Sequence, residues 1–186
     1  PKPILSPVQK REQAARRAGA ALGFHECVSY SFIDQAAAAL FGAGSDATRL
    51  ENPISADMSH MRPDLLPGLL AAAQRNQARG FADLALFEIG PVFSGGEPEE
   101  QDLQIAGLLI GRSAPKDVHA SDRDVDLFDA KADALSILGA IGAPVKTQIR
   151  RGAAPWWHPG RHGQICLGPK KTCLLYTSPS PRDVEE

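Results

Sequence analysis

Apolar residues recur at helical spacing in three stretches of the chain. The first stretch, residues 8–22, follows Ser6, a preferred N-cap residue, and Pro7, which the first helical position tolerates. Its apolar stripe consists of Val8, Ala15, Ala18 and Leu22. Comparable stripes predict a second helix over residues 63–79 and a third over residues 127–141. The pattern therefore predicts three long amphipathic helices.

Alternating or continuously apolar stretches between these helices predict strands. Residues 27–32 alternate, which places Val28, Tyr30 and Phe32 on one face of a strand. Asp34 is a predicted cap for a short helix over residues 35–41. Further predicted strands, with a break at Gly90-Pro91, cover residues 48–52, 58–62, 82–89, 92–93, 103–111, 145–150 and 164–167. Because helices and strands intermingle without regular alternation, the expected fold class is α+β, an antiparallel or mixed sheet flanked by helices.

Composition and charge exclude several classes of protein. Hydrophobic residues make up 43% of the 186 residues and charged residues 23%, which is typical of a globular protein. The net charge of -2 argues against a nucleic-acid protein that binds through bulk charge. No run approaches the roughly 18 apolar residues of a spanning helix, so no membrane contact is expected. Three cysteines are too few for a disulfide framework, which favours a reducing, cytoplasmic location.

Several groups of residues could bind a metal or take part in catalysis, but in each case the sequence favours a structural role. His158, His162, Cys166 and Cys173 have metal-ligand chemistry, but Pro159-Gly160 excludes the helix that would bring the two histidines together, so no metal site is expected. Residues 25–31 include His25, Cys27, Ser29 and Ser31, which could act as a base or a nucleophile, but no G-x-S-x-G nucleophile elbow accompanies them. The acidic residues before the third helix fit its positive N-terminal end, Asp124 and Asp126 above all. The sequence thus predicts no catalytic residues.

A basic segment carries the remaining candidate chemistry. Residues 145–171 contain six basic residues and no acidic one, with Trp156-Trp157 among them. Such a segment suits an RNA backbone, with aromatic rings stacking on bases. The alternative is a solvated strand edge beside two core tryptophans. The candidate RNA-facing residues are Lys146, Arg150, Arg151 and Arg161.

Short motifs then point to a family. In chain order they are GFHECVSYSF, NPISADMS, MRPDLLPGLL, FEIGPVF, VDLFDAKAD and HPG, which lie between residues 23 and 160. Together they resemble the β subunit of bacterial phenylalanine–tRNA ligase from about residue 2 to residue 171. The resemblance implies a class II aminoacyl-tRNA synthetase-like fold, truncated at its C-terminal end. It also implies a catalytically silent core module that supports assembly with the α subunit and placement of tRNA.

The resemblance implies that this chain binds no cofactor. Active class II enzymes have an arginine for the ATP phosphate after a segment like Gly90–Phe93, and here Ser94 follows instead. ATP and magnesium are expected in the parent complex, where the α subunit carries the reaction. The first helix resembles the first class II motif, a subunit contact, and Arg62 is expected as a structural ion-pair partner. The expected subunit interface comprises Val8, Arg11, Ala15, Ala18, Leu22 and Arg62.

These observations predict three parts in a piece of a longer protein. Residues 1–6 are expected to be a linker from a preceding domain, and residues 7–171 the synthetase-like core module. Residues 172–186 resemble translated adaptor sequence and are expected to be a disordered, non-native tail. Two alternatives stay open: a stand-alone RNA-binding or synthetase-like paralogue, and an active class II ligase domain.

Overall fold

A computed structural model describes residues 4–42, 46–114, 123–144, 146–151, 162–167 and 170–176, with backbone alone for residues 167 and 170–176. The chain divides into two compact units. One comprises Gly19–Gly111, and the other comprises Pro1–Ala18 together with Arg112–Glu186. Among the described residues, no helix is both long and apolar enough to cross a membrane.

The first helix, α1, is Pro7–Ala21, as the stripe predicts. Its cap is reciprocal: the Gln9 amide donates to Ser6 Oγ at 3.2 Å, and the Ser6 amide donates to Gln9 Oε1 at 2.9 Å. Gly23 follows with a φ of +89°, the left-handed conformation that ends many helices. The predicted bounds of α1 are therefore confirmed to within a residue.

Seven further elements of the Gly19–Gly111 unit form two small sheets and their helical cover. They are β1 (His25–Glu26), β2 (Phe32–Ile33), α2 (Gln35–Leu40), β3 (His60–Met61), α3 (Leu66–Gln77), β4 (Leu84–Phe93) and β5 (Gln101–Ile110). One sheet has the order β1-β4-β5, in which β1 is parallel and β5 antiparallel to β4. The strands β2 and β3 form an antiparallel pair. The core beside α3 is built on Leu69, Ala73 and Leu86.

Strand β4 is continuous, so the predicted break at Gly90-Pro91 is wrong. Pairing with β5 runs without interruption from Leu84 opposite Ile110 to Phe93 opposite Gln101. Proline is tolerated in a strand where its missing N–H is not needed in a ladder. Since β1 pairs only with Leu86 and Phe87, Pro91 lies in a part of the sheet that has two strands.

Two other strand predictions are also wrong. Residues 27–32 do not form one alternating strand, and Val28 and Tyr30 are 92% and 73% exposed. The physical reason is that the Ser29 amide donates to the Glu88 carboxylate at 3.2 Å instead of joining a ladder. Residues 48–52 contain the end of a 3-10 turn, Asp46–Thr48, and then a single bridge between Arg49 and His60.

In the other unit, helix α4 (Leu127–Ala140) packs against an antiparallel sheet. The strands are β6 (Gln148–Arg150), β7 (His162–Leu167) and β8 (Lys170–Tyr176), in the order β6-β7-β8. Leu138 of α4 and Ile165 of β7 are the buried centre of this core. Because β8 reaches Tyr176, the prediction of a disordered tail is wrong for residues 172–176. Residues 177–186 lie outside the described residues.

Candidate functional site

Two buried charges, Arg62 and Glu88, form a cluster on β4 within the described part of the chain. Arg62 Nη1 donates to Glu88 Oε1 at 2.6 Å and to Ser29 Oγ at 3.0 Å, and Arg62 Nε donates to the Pro91 carbonyl at 2.9 Å. The Ser29 hydroxyl donates to Glu88 Oε2 at 2.7 Å. The side chains of Arg62 and Glu88 are each 3% exposed. We call Ser29, Arg62, Glu88 and the Pro91 carbonyl the buried polar cluster.

The backbone of Arg62 reinforces this cluster. Its amide donates to the Ser31 carbonyl at 2.9 Å, and its carbonyl accepts from the Phe93 amide at 2.9 Å. Arg62 therefore joins the segment after β1 to the C-terminal half of β4. The expectation that Arg62 is a structural ion-pair partner is confirmed. Its side chain is buried, and its place in a subunit interface stays a prediction.

Two glycines leave the space that the cluster occupies. A Cβ on Gly90 would collide with Arg62 Nη2, and a Cβ on Gly68 would collide with Ser29 Oγ. The cluster also affects a neighbouring thiol, because burial and the Glu88 carboxylate raise the pKa of Cys27. Buried ionic groups are stable only when each is paired and hydrogen-bonded, and here both partners are.

Ser94 lies just beyond the end of β4, beside a small cavity. Its amide and its hydroxyl both donate to the Glu100 carbonyl, at 2.9 and 3.2 Å. The cavity has a volume of about 220 Å³ and is lined by Gly42, Thr48, Pro63, Val92, Phe93, Ser94, Asp102 and Gln104. These lining residues include a carboxylate and no cation. The phosphates of a nucleoside triphosphate are commonly bound by basic groups.

The residues predicted for the subunit interface on α1 differ in exposure. Val8 is 57% exposed and Leu22 is 38% exposed, whereas Ala15 is buried. Arg11 is exposed and Ala18 is half-buried. Val8 and Arg11 therefore leave one apolar and one basic side chain exposed on α1, whereas Ala15 is buried and Leu22 lies just after the helix.

Three of the four predicted RNA-facing residues lie in or beside β6. Lys146, Arg150 and Arg151 are all exposed, and Arg150 Nη2 donates to Gln148 Oε1 at 2.8 Å. Arg161 and the two tryptophans lie outside the described residues. Among the histidines and cysteines for which no metal site was predicted, Cys166 is buried in β7 and His158 lies outside the described residues. Within the part of the chain that the structure describes, no group of three or more His, Cys, Asp or Glu side chains is placed to hold a metal.

Asp126 caps helix α4, as predicted, whereas Asp124 forms a single bridge with Arg112. Asp126 Oδ1 accepts from the amides of Phe128 and Asp129 at 2.7 and 3.1 Å. Arg123 donates two hydrogen bonds to the Asp129 carboxylate, at 2.6 and 2.7 Å. These bonds lower the pKa of Asp129 to about 2. Burial and the nearby Asp129 charge raise the pKa of Asp133.

Comparison with known proteins decides the family. The family described as "Phenylalanyl tRNA synthetase beta chain CLM domain" matches residues 2–175. The chain belongs to this family. A phenylalanine–tRNA ligase β subunit of Ruegeria pomeroyi is 69% identical over 182 residues, which cover 98% of this chain and 23% of that subunit. The corresponding subunit of Cereibacter sphaeroides is also 69% identical, over 91% of this chain and 21% of its own length.

The CLM domain therefore accounts for nearly the whole chain, which spans less than a quarter of the length of these β subunits. A solved pyrrolysyl-tRNA synthetase, PylSc of Desulfitobacterium hafniense, has the same fold with a TM-score of 0.68. That similarity holds at 16% identity, over 96% of this chain and 61% of the other. The expected α+β, class II synthetase-like fold is confirmed.

Sequence reasoning missed Glu88 and Ser29. The available signal was a glutamate in the middle of the apolar strand LALFEIGPVF, where a charged residue requires a partner when the strand is buried. The arginine of the MRPDLLPGLL motif was recognised as an ion-pair residue, but its partner lies 26 positions away and follows from the tertiary structure.

Proposed function

We propose that this CLM domain is a non-catalytic core module of the phenylalanine–tRNA ligase β subunit. It supports assembly with the α subunit and placement of tRNA, while the α subunit carries the ATP-dependent attachment of phenylalanine. We place this assembly in the cytoplasm. ATP and magnesium belong to the parent complex in this proposal, and this chain binds neither.

The buried polar cluster is the observation that carries the proposal. Arg62 resembles a motif arginine that faces a ligand in active relatives, but here its Nε and Nη1 donors are used on Glu88, Ser29 and Pro91. A guanidinium that is 3% exposed and paired with Glu88 stabilises the fold, which supports a non-catalytic role for this residue. The cavity beside Ser94 supports the same conclusion, because a carboxylate and neutral groups line it.

Catalytic silence is tested by pyrophosphate exchange. The chain without the α subunit is incubated with phenylalanine, ATP, magnesium and labelled pyrophosphate, and the expected exchange into ATP does not exceed the rate without protein. Exchange that depends on phenylalanine would overturn the proposal and favour the alternative of an active class II ligase domain.

Assembly with the α subunit is the second part of the proposal, and the exposed residues of α1 support it. We expect Val8→Glu and Leu22→Glu to weaken association about 30-fold or more, because each leaves an unpaired charge in an apolar contact. Leu40→Glu on α2 is the matched control, since Leu40 is 67% exposed outside the proposed interface. Sedimentation analysis of α and β mixtures measures the dissociation constant. Association equal to that of the control would remove α1 from the interface.

A further inference from the structure

Strand β6 presents an arginine in a defined orientation. Gln148 and Arg150 are two residues apart on one strand, so their side chains lie on the same face. Both are exposed, and the Gln148 amide oxygen accepts a hydrogen bond of 2.8 Å from Arg150 Nη2. Among the described strands of this sheet, β6 is at the end of the order β6-β7-β8, so the pair is at an edge.

The acceptor is neutral, and this distinguishes Arg150 from three described arginines whose partners are carboxylates. Arg16, Arg62 and Arg123 each donate to a carboxylate, which compensates their charge. An amide oxygen holds one donor of the guanidinium and leaves the full positive charge and the other N–H groups available. A guanidinium that is held in one orientation and keeps its positive charge is well placed to bind an anion.

The sequence segment around Arg150 carries further basic residues and no acidic one. Lys146 and Arg151 are exposed within a few residues, and no acidic residue occurs from position 145 to position 171. Across the β6–β7 ladder, Arg150 is opposite Gln164 and Gln148 is opposite Cys166, both neutral. The cations from Lys146 to Arg150 extend over about 13 Å of chain at roughly 3.3 Å per residue, which suits a polyanion better than a single ion.

We propose that Gln148 is a positioning residue that presents the Arg150 guanidinium to a phosphodiester of the tRNA backbone. The contact depends on the charge of the phosphate and does not distinguish base sequences, which is typical of arginine contacts to nucleic-acid backbones. This inference rests on the proposed function, in which the module contributes to tRNA placement, and it names the group that makes the contact and the residue that orients it.

The test measures tRNA binding by the ligase that contains this chain, as a function of salt concentration. Arg150→Gln removes one phosphate contact, so we expect about tenfold weaker binding and a slope of log K against log salt that is smaller by about 0.7–0.9. Gln148→Ala keeps the charge and loses the orientation, so we expect binding about two- to tenfold weaker with an unchanged slope. Gln148→Glu neutralises the guanidinium and is expected to resemble Arg150→Gln.

The outcomes separate this inference from the proposed function. The control is Arg79→Gln, because Arg79 is an exposed arginine just after α3 and outside this sheet. If Arg150→Gln and Lys146→Gln both leave affinity and slope at the values of this control, the strand does not contact tRNA and that part of the proposed function fails as well. If Arg150→Gln weakens binding but Gln148→Ala does not, the positioning role alone is wrong. If the variants weaken α-subunit association instead of tRNA binding, the partner of this strand is a protein and the inference fails.

Discussion

Replacing Glu88 by glutamine removes one charge from the buried polar cluster while it keeps the size of the side chain. The Arg62 guanidinium then stays 3% exposed without a carboxylate. The Ser29 amide and hydroxyl, at 3.2 and 2.7 Å, lose their charged acceptor in the same step. The variant therefore tests whether this ion pair stabilises the Gly19–Gly111 unit.

The burial of the pair sets the expected magnitude. Exposed ion pairs contribute about 0–1 kcal/mol because water screens them. Removing one partner of a buried pair costs about 3–5 kcal/mol, since the remaining charge is left uncompensated in a medium of low polarity. With both side chains of the pair almost inaccessible, the larger figure applies. It is a large part of the roughly 5–15 kcal/mol by which native domains are stable.

Hydrogen exchange read by mass spectrometry measures this loss locally. Peptides from β4 and β5 report opening of the unit that contains Glu88, and peptides from α4 provide an internal reference from the other unit. At about 1.4 kcal/mol for each factor of ten, we expect exchange in β4 and β5 to accelerate on the order of 10²- to 10³-fold. Glu99→Gln is the matched control, because Glu99 is an exposed residue of a short 3-10 turn in the same unit.

An acceleration of less than about fivefold in β4 and β5 would refute the reasoning, because it would correspond to the energy of an exposed pair. The double variant with Arg62→Met and Glu88→Leu provides a second check. Removing both charges is expected to recover part of the stability that Glu88→Gln loses. Recovery stays incomplete, since the Pro91 carbonyl and the Ser29 amide lose their partners.

Three further predictions concern single positions. Gly68→Ala places a methyl group against the serine hydroxyl of the buried polar cluster and is expected to lower the free energy of unfolding by about 1–3 kcal/mol. Gly139→Ala in α4 meets open space and is expected to raise it by about 0.5–1 kcal/mol. Urea unfolding compares the two variants. Asp126→Ala removes the cap of α4 and is expected to cost about 1 kcal/mol in the same assay, against no change for an exposed alanine substitution in mid-helix. The lowered pKa of Asp129 predicts stability that is fully present above about pH 4 and is lost as the pH falls towards 2, by less than about 1 kcal/mol because the pair with Arg123 is partly exposed; Asp129→Asn is expected to remove that pH dependence.

Each of these three has a result that contradicts it. Equal stability of the two alanine variants would mean that Gly68 does not face the cluster. An Asp126→Ala variant as stable as the unsubstituted chain would exclude the helix cap as a stabilising contact. A pH profile that is the same with and without the Asp129 carboxylate would assign the acid sensitivity to another group.

The helices of this protein were predictable from the sequence because their signals are local. Three cap residues, Ser6, Asp34 and Asp126, mark helix starts through bonds within three residues, and the apolar stripes need only the 3.6-residue period. The motifs also indicated the family, because short segments in a fixed order carry that information without any knowledge of contacts.

Only the tertiary structure decided which alternating or charged residues are inside. Residues 27–32 have the pattern of a strand, but a buried carboxylate 59 positions away from Ser29 captures the serine amide and leaves Val28 and Tyr30 exposed. The sequence predicts an ion pair for Arg62, but only the tertiary structure identifies Glu88 as its partner and shows that both side chains are buried. Pairing between distant positions depends on the summed packing of many elements, and a local pattern does not specify which distant partner a polar residue will have.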